Sequence, residues 1–517
     1  MRQQFYHFNT RALKLIFYGF FILTFGFALT SPNLILGDNA VTKVGTTGVT
    51  TGVLLLALAI ALTLYVSPHA RRLGYKVFVT NRWVTASGCL GLVVLGQIGL
   101  VWALHFPSGA DVDAIHQALL TPNAPNTVGY FSVNPNNLPL LLIQHWLASQ
   151  FHTTSWLFFD SWTLLFVDVS ATLNLLSLAV IDRTNVPWGL YLHALWLAFF
   201  PAITIPYTDT WVLPAVSFYI LCYCVLAYSN APKLLKALAA LGFGMGVSAA
   251  FFIKPSAIVP AIAIVLIEGL TLLKPQPHHW LWLGLLALLL TGSTAGSYIV
   301  GHHVVQTQTY IRVNQARAKP LVHFINMGLS GQGGYNAKDS YKMVTTLNKQ
   351  ARINYSVTTI KRRLRRLGLT GYVAFLWQKQ QHNTSDGSFG WAQDPLLAQR
   401  RHFPTSPSWS GHLENFLFLY GRNLGDLRFL TQIWWCLWLG LIFFAWHDDR
   451  KIIQALRLAF VGGCLFLLIF EGGRSRYLIQ FLPVLLLLAT LNSPATHQLL
   501  HRHLAWLHAP TVNHSVT

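Results

Sequence analysis

The chain has 517 residues, 53% of them hydrophobic and 10% charged, with a formal net charge of +20. A soluble domain carries about 25% charged residues, so this composition excludes a water-soluble globular chain. The apolar residues stand in long uninterrupted blocks, and a helix needs about 20 of them to cross a bilayer. Inside lipid a helix also satisfies its own backbone hydrogen bonds.

The first segment, MRQQFYHFNTRALK followed by the apolar run 15–30, has the look of a signal peptide. No A-x-A site follows and further spans come after it, so it reads as a retained first span. Candidate spans are 13–30, 50–66, 84–106, 160–181, 187–203, 210–228, 235–253, 257–273, 280–300, 429–446, 455–470 and 477–491. The expected fold is an all-α polytopic membrane protein of about twelve transmembrane helices. Lys and Arg in short loops mark the cytoplasmic side. Arg2, Arg11 and Lys14 place the N-terminus there, followed by Arg71, Arg72, Lys76 and Arg82. Lys233 and Lys236, Lys274, and the group Arg450, Lys451 and Arg457 fall on the same side.

Segment 138–151 (LPLLLIQHWLASQF) is apolar but short. Counting it as a span would reverse every later helix and put Lys233 and Lys236 outside, so it is expected to lie along the outer surface. The chain then divides into a two-span extension (1–83), a transmembrane core (84–300) with an outer loop at 107–156, a large basic outer loop (301–428), C-terminal spans (429–493) and a cytoplasmic tail (494–517). The large loop is too long for a connection and is expected to fold as a mixed subdomain. The five cysteines all lie in apolar blocks, which predicts neither a disulfide framework nor a Cys-based metal site.

This threading gathers polar residues at one membrane face, where each needs a reason. The first outer loop has Asp111 and Asp113, then Tyr130, Asn134, Asn136 and Asn137 in GYFSVNPNN. PYTDT contributes Tyr207 and Asp209, FFIKPSA contributes Lys254, and EGGRSRY contributes Glu471, Arg474, Arg476 and Tyr477. A carboxylate can take a proton from an incoming hydroxyl. Lys and Arg hold phosphate. Asp-x-Asp offers oxygen ligands to a divalent cation. Together these groups suit a site that binds a lipid phosphate and activates an acceptor.

The order of these elements resembles the GT-C superfamily of polytopic glycosyltransferases: an Asp soon after a span, a Tyr-x-x-x-Asn-Pro-Asn-Asn stretch, and Glu-x-x-Arg-x-Arg-Tyr opening a late span. It is most similar to mannosyltransferase-type membrane proteins of Gram-positive, Lactobacillus-like bacteria, in which a Met-Gly-Leu…Gly stretch recurs; here that is Met327, Gly328 and Leu329 with Gly331, Gly333 and Gly334. The resemblance implies an inverting transfer of sugar from a polyprenyl-phosphate donor to an extracytoplasmic acceptor. The acceptor would be a cell-wall glycopolymer such as teichoic acid, a glycolipid or a protein. It implies Asp111 as base, with Asp113 as second candidate because the family's Asp-Glu pair is replaced by Asp-Val-Asp. Lys254, among apolar neighbours and followed by Pro, and Arg474 and Arg476, whose charge on an outer short loop runs against the orientation rule, are read as donor-phosphate contacts, with Tyr130, Asn136, Asn137, Tyr207, Asp209, Glu471 and Tyr477 as candidate sugar or acceptor contacts. A Mg or Mn ion on Asp111 and Asp113 remains open.

Plainer readings stand beside these. Asp111 and Asp113 are also read as solvated loop residues, 134–137 as a turn and cap, Asp209 and Tyr207 as a cap, and Lys254 as a snorkelling lysine. Glu471 is expected to pair with one of the arginines, and Asp168, in mid-span, to face the bundle interior. The large loop has sixteen Lys/Arg against five Asp/Glu between 301 and 427, densest in KRRLRRLG at 361–368. That stretch is either a helix face on anionic headgroups or a groove for an anionic wall polymer; nucleic acid is a poor partner for an outside loop. His382, Asn383 and the run 386–391 (DGSFGW) read either as a loop that stacks on sugar or as turns. Two rival functions remain: a transporter or flippase of lipid-linked sugars, and a non-catalytic protein that docks wall polymers.

Overall fold

The computed structural model describes residues 2–274, 279–391, 393 and 407–503; of the expected tail, 504–517 lies outside them. Its α-helices run in chain order as α1 (Arg2–Leu29), α2 (Gly48–Val66), α3 (Pro68–Tyr75), α4 (Arg82–Ala103), α5 (Ala110–Leu120), α6 (Pro125–Val133) and α7 (Leu138–Phe151). Next come α8 (Trp156–Ile181), α9 (Val186–Ala198), α10 (Thr208–Trp211), α11 (Leu213–Tyr228), α12 (Lys233–Ile253), α13 (Val259–Thr271) and α14 (Trp280–Thr307). The rest are α15 (Leu321–Gly328), α16 (Ala337–Thr345), α17 (Lys349–Thr384), α18 (Trp409–Leu417), α19 (Leu424–Phe443), α20 (Lys451–Ile469) and α21 (Leu482–His503). No strand occurs among the described residues.

Nine of the described helices are long and apolar enough to cross a membrane. The other three expected spans correspond to α9 and α13, each of 13 residues, and to α19, whose first turns carry Asp426 and Arg428. For α9 and α13 the difference from the expected count is one of length: they adjoin short 3-10 turns at Pro201 and Pro255 instead of further regular helix. Proline supplies no N–H and crowds the preceding turn, so the chain breaks there.

Side chains tie the bundle together at both ends. At one end Lys14 meets Asp449 at 3.0 Å, Lys451 meets Glu268 at 2.8 Å, and Tyr223 donates to the same Glu268 at 2.7 Å. At the other end, Thr47 and Thr50 donate to Asp426 at 2.7 and 2.6 Å, Ser256 donates to Gln480 at 2.5 Å, and Tyr310 donates to the Ala118 carbonyl at 2.9 Å. The basic short loops of the sequence belong to the first end, the outer polar set to the second. Between them, small residues admit close backbone approach: a Cβ on Gly244 of α12 would stand 2.6 Å from the Leu290 carbonyl oxygen of α14.

Helix α7 packs on α5 and against α12 and α14. Leu138, Leu140, Leu141, Gln144 and Leu147 are buried while Trp146 is exposed. Gln144 donates to the Pro206 carbonyl at 3.0 Å, so α7 caps the second end of the bundle. Two carboxylates lie within α8. Asp160 is fully buried and neither of its oxygens has a hydrogen-bond partner among the described residues. Asp168 is half-buried, with Oδ1 enclosed and likewise unpartnered.

Candidate functional site

Helix α5 starts with its cap Gly109 extended and Ala110 at φ 49°. A non-glycine residue rarely adopts that conformation. Asp111 follows in the first turn, where unpaired N–H groups and the helix dipole favour a negative charge. Two hydroxyls fix its carboxylate: Tyr130 of α6 donates to Oδ1 at 2.7 Å and Tyr207 donates to Oδ2 at 2.9 Å. Asn137 in turn donates to the Tyr130 oxygen at 2.6 Å, and Asn136 donates to Asn137 at 3.2 Å. Burial, and after it the charge of Asp111, holds both phenols well above their ordinary range, so they remain donors.

A second group lies beside the first. Asp209, in the first turn of α10, ion-pairs with Lys254 at the end of α12 and with Arg476 at 3.2 Å. All three side chains are largely buried. The Arg476 guanidinium sits 5.6 Å from the Tyr207 ring centre and 5.2 Å from that of Tyr477, and Lys254 lies 5.3 Å from the Tyr477 ring. Tyr477 donates to Glu471 at 2.8 Å. Burial lowers the Lys254 ammonium from its ordinary range, and the charge of Asp209 opposes that.

These groups share a cavity of about 1100 Å³ lined by Asp111, Tyr130, Asn134, Asn136, Asn137, Tyr207, Lys254, Glu471, Arg474, Arg476 and Tyr477. Lys319 and Arg317 line it as well. Lys319 donates to Asn134 at 2.8 Å, and burial pushes its ammonium down against the opposing charges of Asp111 and Glu471. The charged groups on the wall are therefore five cations and two carboxylates, which suits an anionic ligand.

Two expectations change. Asp113 does not line the cavity; its near neighbour is Gln117, which donates to it at 3.4 Å. Residues two apart on a helix are turned by about 200°, so Asp-Val-Asp does not present both carboxylates to one cation. Among the described residues no group of three or more His, Cys, Asp or Glu could hold a metal. Asp111 is the member of the Asp-Val-Asp pair that lines the cavity. For 382–391 the two readings are a sugar-stacking loop and turns. Asn383, Asp386, Ser388, Phe389 and Trp391 are all buried. Asp386 accepts from Asn33, Ser388 and Gly390, while Phe389 packs edge-on against Trp435. The run 386–391 forms turns inside the protein, and His382 and Asn383 belong to the end of α17. Asp209 shifts in role: it lies behind Lys254 and Arg476 as their counter-charge and does not line the main cavity.

The arginine loop is built by the glycine-rich stretch that follows α15. Gly472 donates to the Gly333 carbonyl at 2.8 Å and Gly473, at φ 72°, donates to Asn383 at 2.6 Å. A Cβ on Gly334 would lie 2.7 Å from the Gly472 carbonyl oxygen. Lys379 donates to the carbonyls of Gly328, Leu468 and Phe470 at 2.7, 3.0 and 2.7 Å, clamping the end of α20 just before Glu471. The Met-Gly-Leu…Gly stretch is thus the support under Arg474 and Arg476. Sequence reasoning missed Lys319, which is one of many basic residues in a long loop. Its following Pro320 was the sole local sign that it sits at a fixed turn.

No curated protein and no solved structure matches the chain. Residues 5–497 match the family described as conserved hypothetical integral membrane protein, and the chain belongs to that family of multi-pass, all-helical membrane proteins.

Proposed function

We propose that the protein is a GT-C-like glycosyltransferase that moves a sugar from a polyprenyl-phosphate donor to an acceptor hydroxyl outside the cytoplasm. The observation that carries this reading is the shared cavity: Asp111, held by two tyrosine hydroxyls, faces the same space as Lys254, Lys319, Arg474 and Arg476. In this reading all twelve sequence segments cross the membrane, both ends are cytoplasmic and the cavity opens outward. The short basic loops at the opposite end of the bundle support that orientation. The described segment 308–391 contributes Lys319 and the glycine-rich support, and in this reading acts as a subdomain over the site.

In the proposed reaction the acceptor oxygen attacks the anomeric carbon from the side opposite the phosphate. The bond from that carbon to the phosphate oxygen breaks, inverting the configuration, and Asp111 takes the hydroxyl proton. The leaving polyprenyl phosphate keeps the bonding pair, and the surrounding cations stabilise its charge. Tyr130 and Tyr207 orient Asp111 so that its remaining lone pairs point at the acceptor. The acceptor class is a wall glycopolymer, a glycolipid or a protein.

The test is Asp111→Asn in purified protein reconstituted with polyprenyl-phosphate sugar and extracted wall acceptor. Loss of a positioned base costs about 10²–10⁴-fold, so transfer should fall by at least about a hundredfold while donor binding persists. Asp113→Asn should stay within a few-fold of wild type. Transfer at the wild-type rate by Asp111→Asn would remove Asp111 as base.

One observation favours transport of lipid-linked sugar instead. Asp160 and Asp168 are carboxylates within α8 whose buried oxygens lack partners among the described residues, and intramembrane acids commonly serve ion-coupled movement. Sealed vesicles separate the two: a transporter relocates labelled lipid-linked sugar without forming a glycosidic bond.

A further inference from the structure

Helix α17 has two unlike sides. On its first half Arg352, Ser356 and Thr359 are buried, and Arg363 pairs with Asp339 at 2.8 Å and donates to Asn326 at 2.7 Å. Around that buried stripe Lys361, Arg362, Arg365 and Arg366 are all exposed. At Gly368 (φ 62°) the helix bends. Beyond the bend, Phe375, Lys379 and Gln380 are buried, while Leu369, Val373 and Trp377 are 82, 60 and 52% exposed. Their spacing of four puts them on one stripe of the helix.

The height of this stripe along the bundle is set by α1. Trp377 packs edge-on to Phe27, ring centres 5.1 Å apart, and Gln380 donates to Thr24 at 3.4 Å. Phe27 is two residues from the end of an apolar helix of span length. The apolar stripe therefore sits where the hydrocarbon ends. Counted from Trp377, the basic turn lies about 16–24 Å away along the helix, at about 1.5 Å per residue. A solvated face would not expose Leu, Val and Trp in a row, whereas a helix lying at a membrane boundary carries this pairing of basic and apolar residues.

We propose that this side of α17 binds an anionic phospholipid, with the headgroup phosphate on Arg362, Arg365 and Arg366 and an acyl chain along Leu369, Val373 and Trp377. Charge complementarity selects an anionic over a zwitterionic lipid, since each basic residue near such a surface adds attraction. This site lies outside the cavity-lining set and does not rest on the glycosyltransferase reading.

The experiment uses the full chain in detergent, titrated with phosphatidylglycerol, phosphatidylcholine and a soluble poly(glycerol phosphate) oligomer, with bound lipid counted by native mass spectrometry. Wild type should prefer phosphatidylglycerol by roughly tenfold or more. Replacing Lys361, Arg362, Arg365 and Arg366 with Gln should remove that preference and leave the unfolding temperature within a few degrees. Leu369→Ser with Val373→Ser and Trp377→Ser should weaken both lipids without changing oligomer binding. Equal binding of both lipids by wild type would overturn the proposal. So would tight oligomer binding with no effect of the apolar substitutions, which would mark the face as a dock for a soluble polyanion.

Discussion

Tyr207 donates its hydroxyl hydrogen to Asp111, 96 positions earlier in the chain, at 2.9 Å. That bond joins the start of α5 to the turn before α10, two elements with no local connection. The same tyrosine ring lies under Arg476. Base, orienting hydroxyl and phosphate-binding cation of the proposed reaction thus meet at one side chain.

Tyr207→Phe and Tyr130→Phe each remove one hydrogen bond to a carboxylate, a contact worth about 1.5–3 kcal/mol. Each should lower the transfer rate roughly ten- to a hundredfold, with donor affinity nearly unchanged. The double variant should approach Asp111→Asn. Steady-state transfer with equilibrium donor binding checks both; a fall in affinity without a fall in rate would assign the tyrosines to binding.

Asp209 balances Lys254 and Arg476 in a largely buried setting. Breaking a buried ion pair from one side costs about 3–5 kcal/mol, so Asp209→Asn should lower the unfolding temperature clearly. Lys254→Met in the Asp209→Asn background should recover part of the loss. A thermal-melt cycle of the two single variants and the double variant measures this coupling.

Burial lowers the Lys319 ammonium. Its charged form attracts phosphate, so its contribution is full below the folded pKa and is lost as pH rises through it, earlier than for an ordinary lysine. Donor affinity should accordingly decline with rising pH below the usual lysine range. Lys319→Arg keeps its charge and should move that decline upward; a titration of inorganic phosphate or donor affinity against pH reads the shift.

Gly473 combines a φ of 72° with a position where a Cβ would overlap the Gln332 carbonyl oxygen. The conformation alone costs a side chain about 1–2 kcal/mol. Gly473→Ala should destabilise the protein and weaken donor binding through Arg474 and Arg476. Gly19→Ala, with nothing within 4 Å of its Cβ, should do neither. Thermal melts of the two variants side by side make the comparison.

Much of the architecture was legible because an apolar run is a local property. Segment 138–151 is expected on the surface from the charge pattern; α7 packs on α5 and against α12 and α14, with Trp146 exposed. The site was legible only in part. Tyr130, Asn137, Tyr207, Lys254, Glu471, Arg474, Arg476 and Tyr477 all line the cavity. Asp113 does not, because two residues of helix turn it away from Asp111. The run 386–391 reads equally as a sugar-stacking loop or as turns, and Asp386 folds it into turns by accepting from its own following N–H groups.

By itself the sequence determined the class of molecule: blocks of about 20 apolar residues leave the backbone no solution in lipid except helices. Only the tertiary structure decided which polar groups share a cavity. It set Asp209 behind Lys254 and Arg476, brought Lys319 to Asn134, and put the glycine-rich turn beneath the arginine loop. Those relations depend on helix phase and on how distant elements pack, and neither is encoded in any window of the chain shorter than the fold.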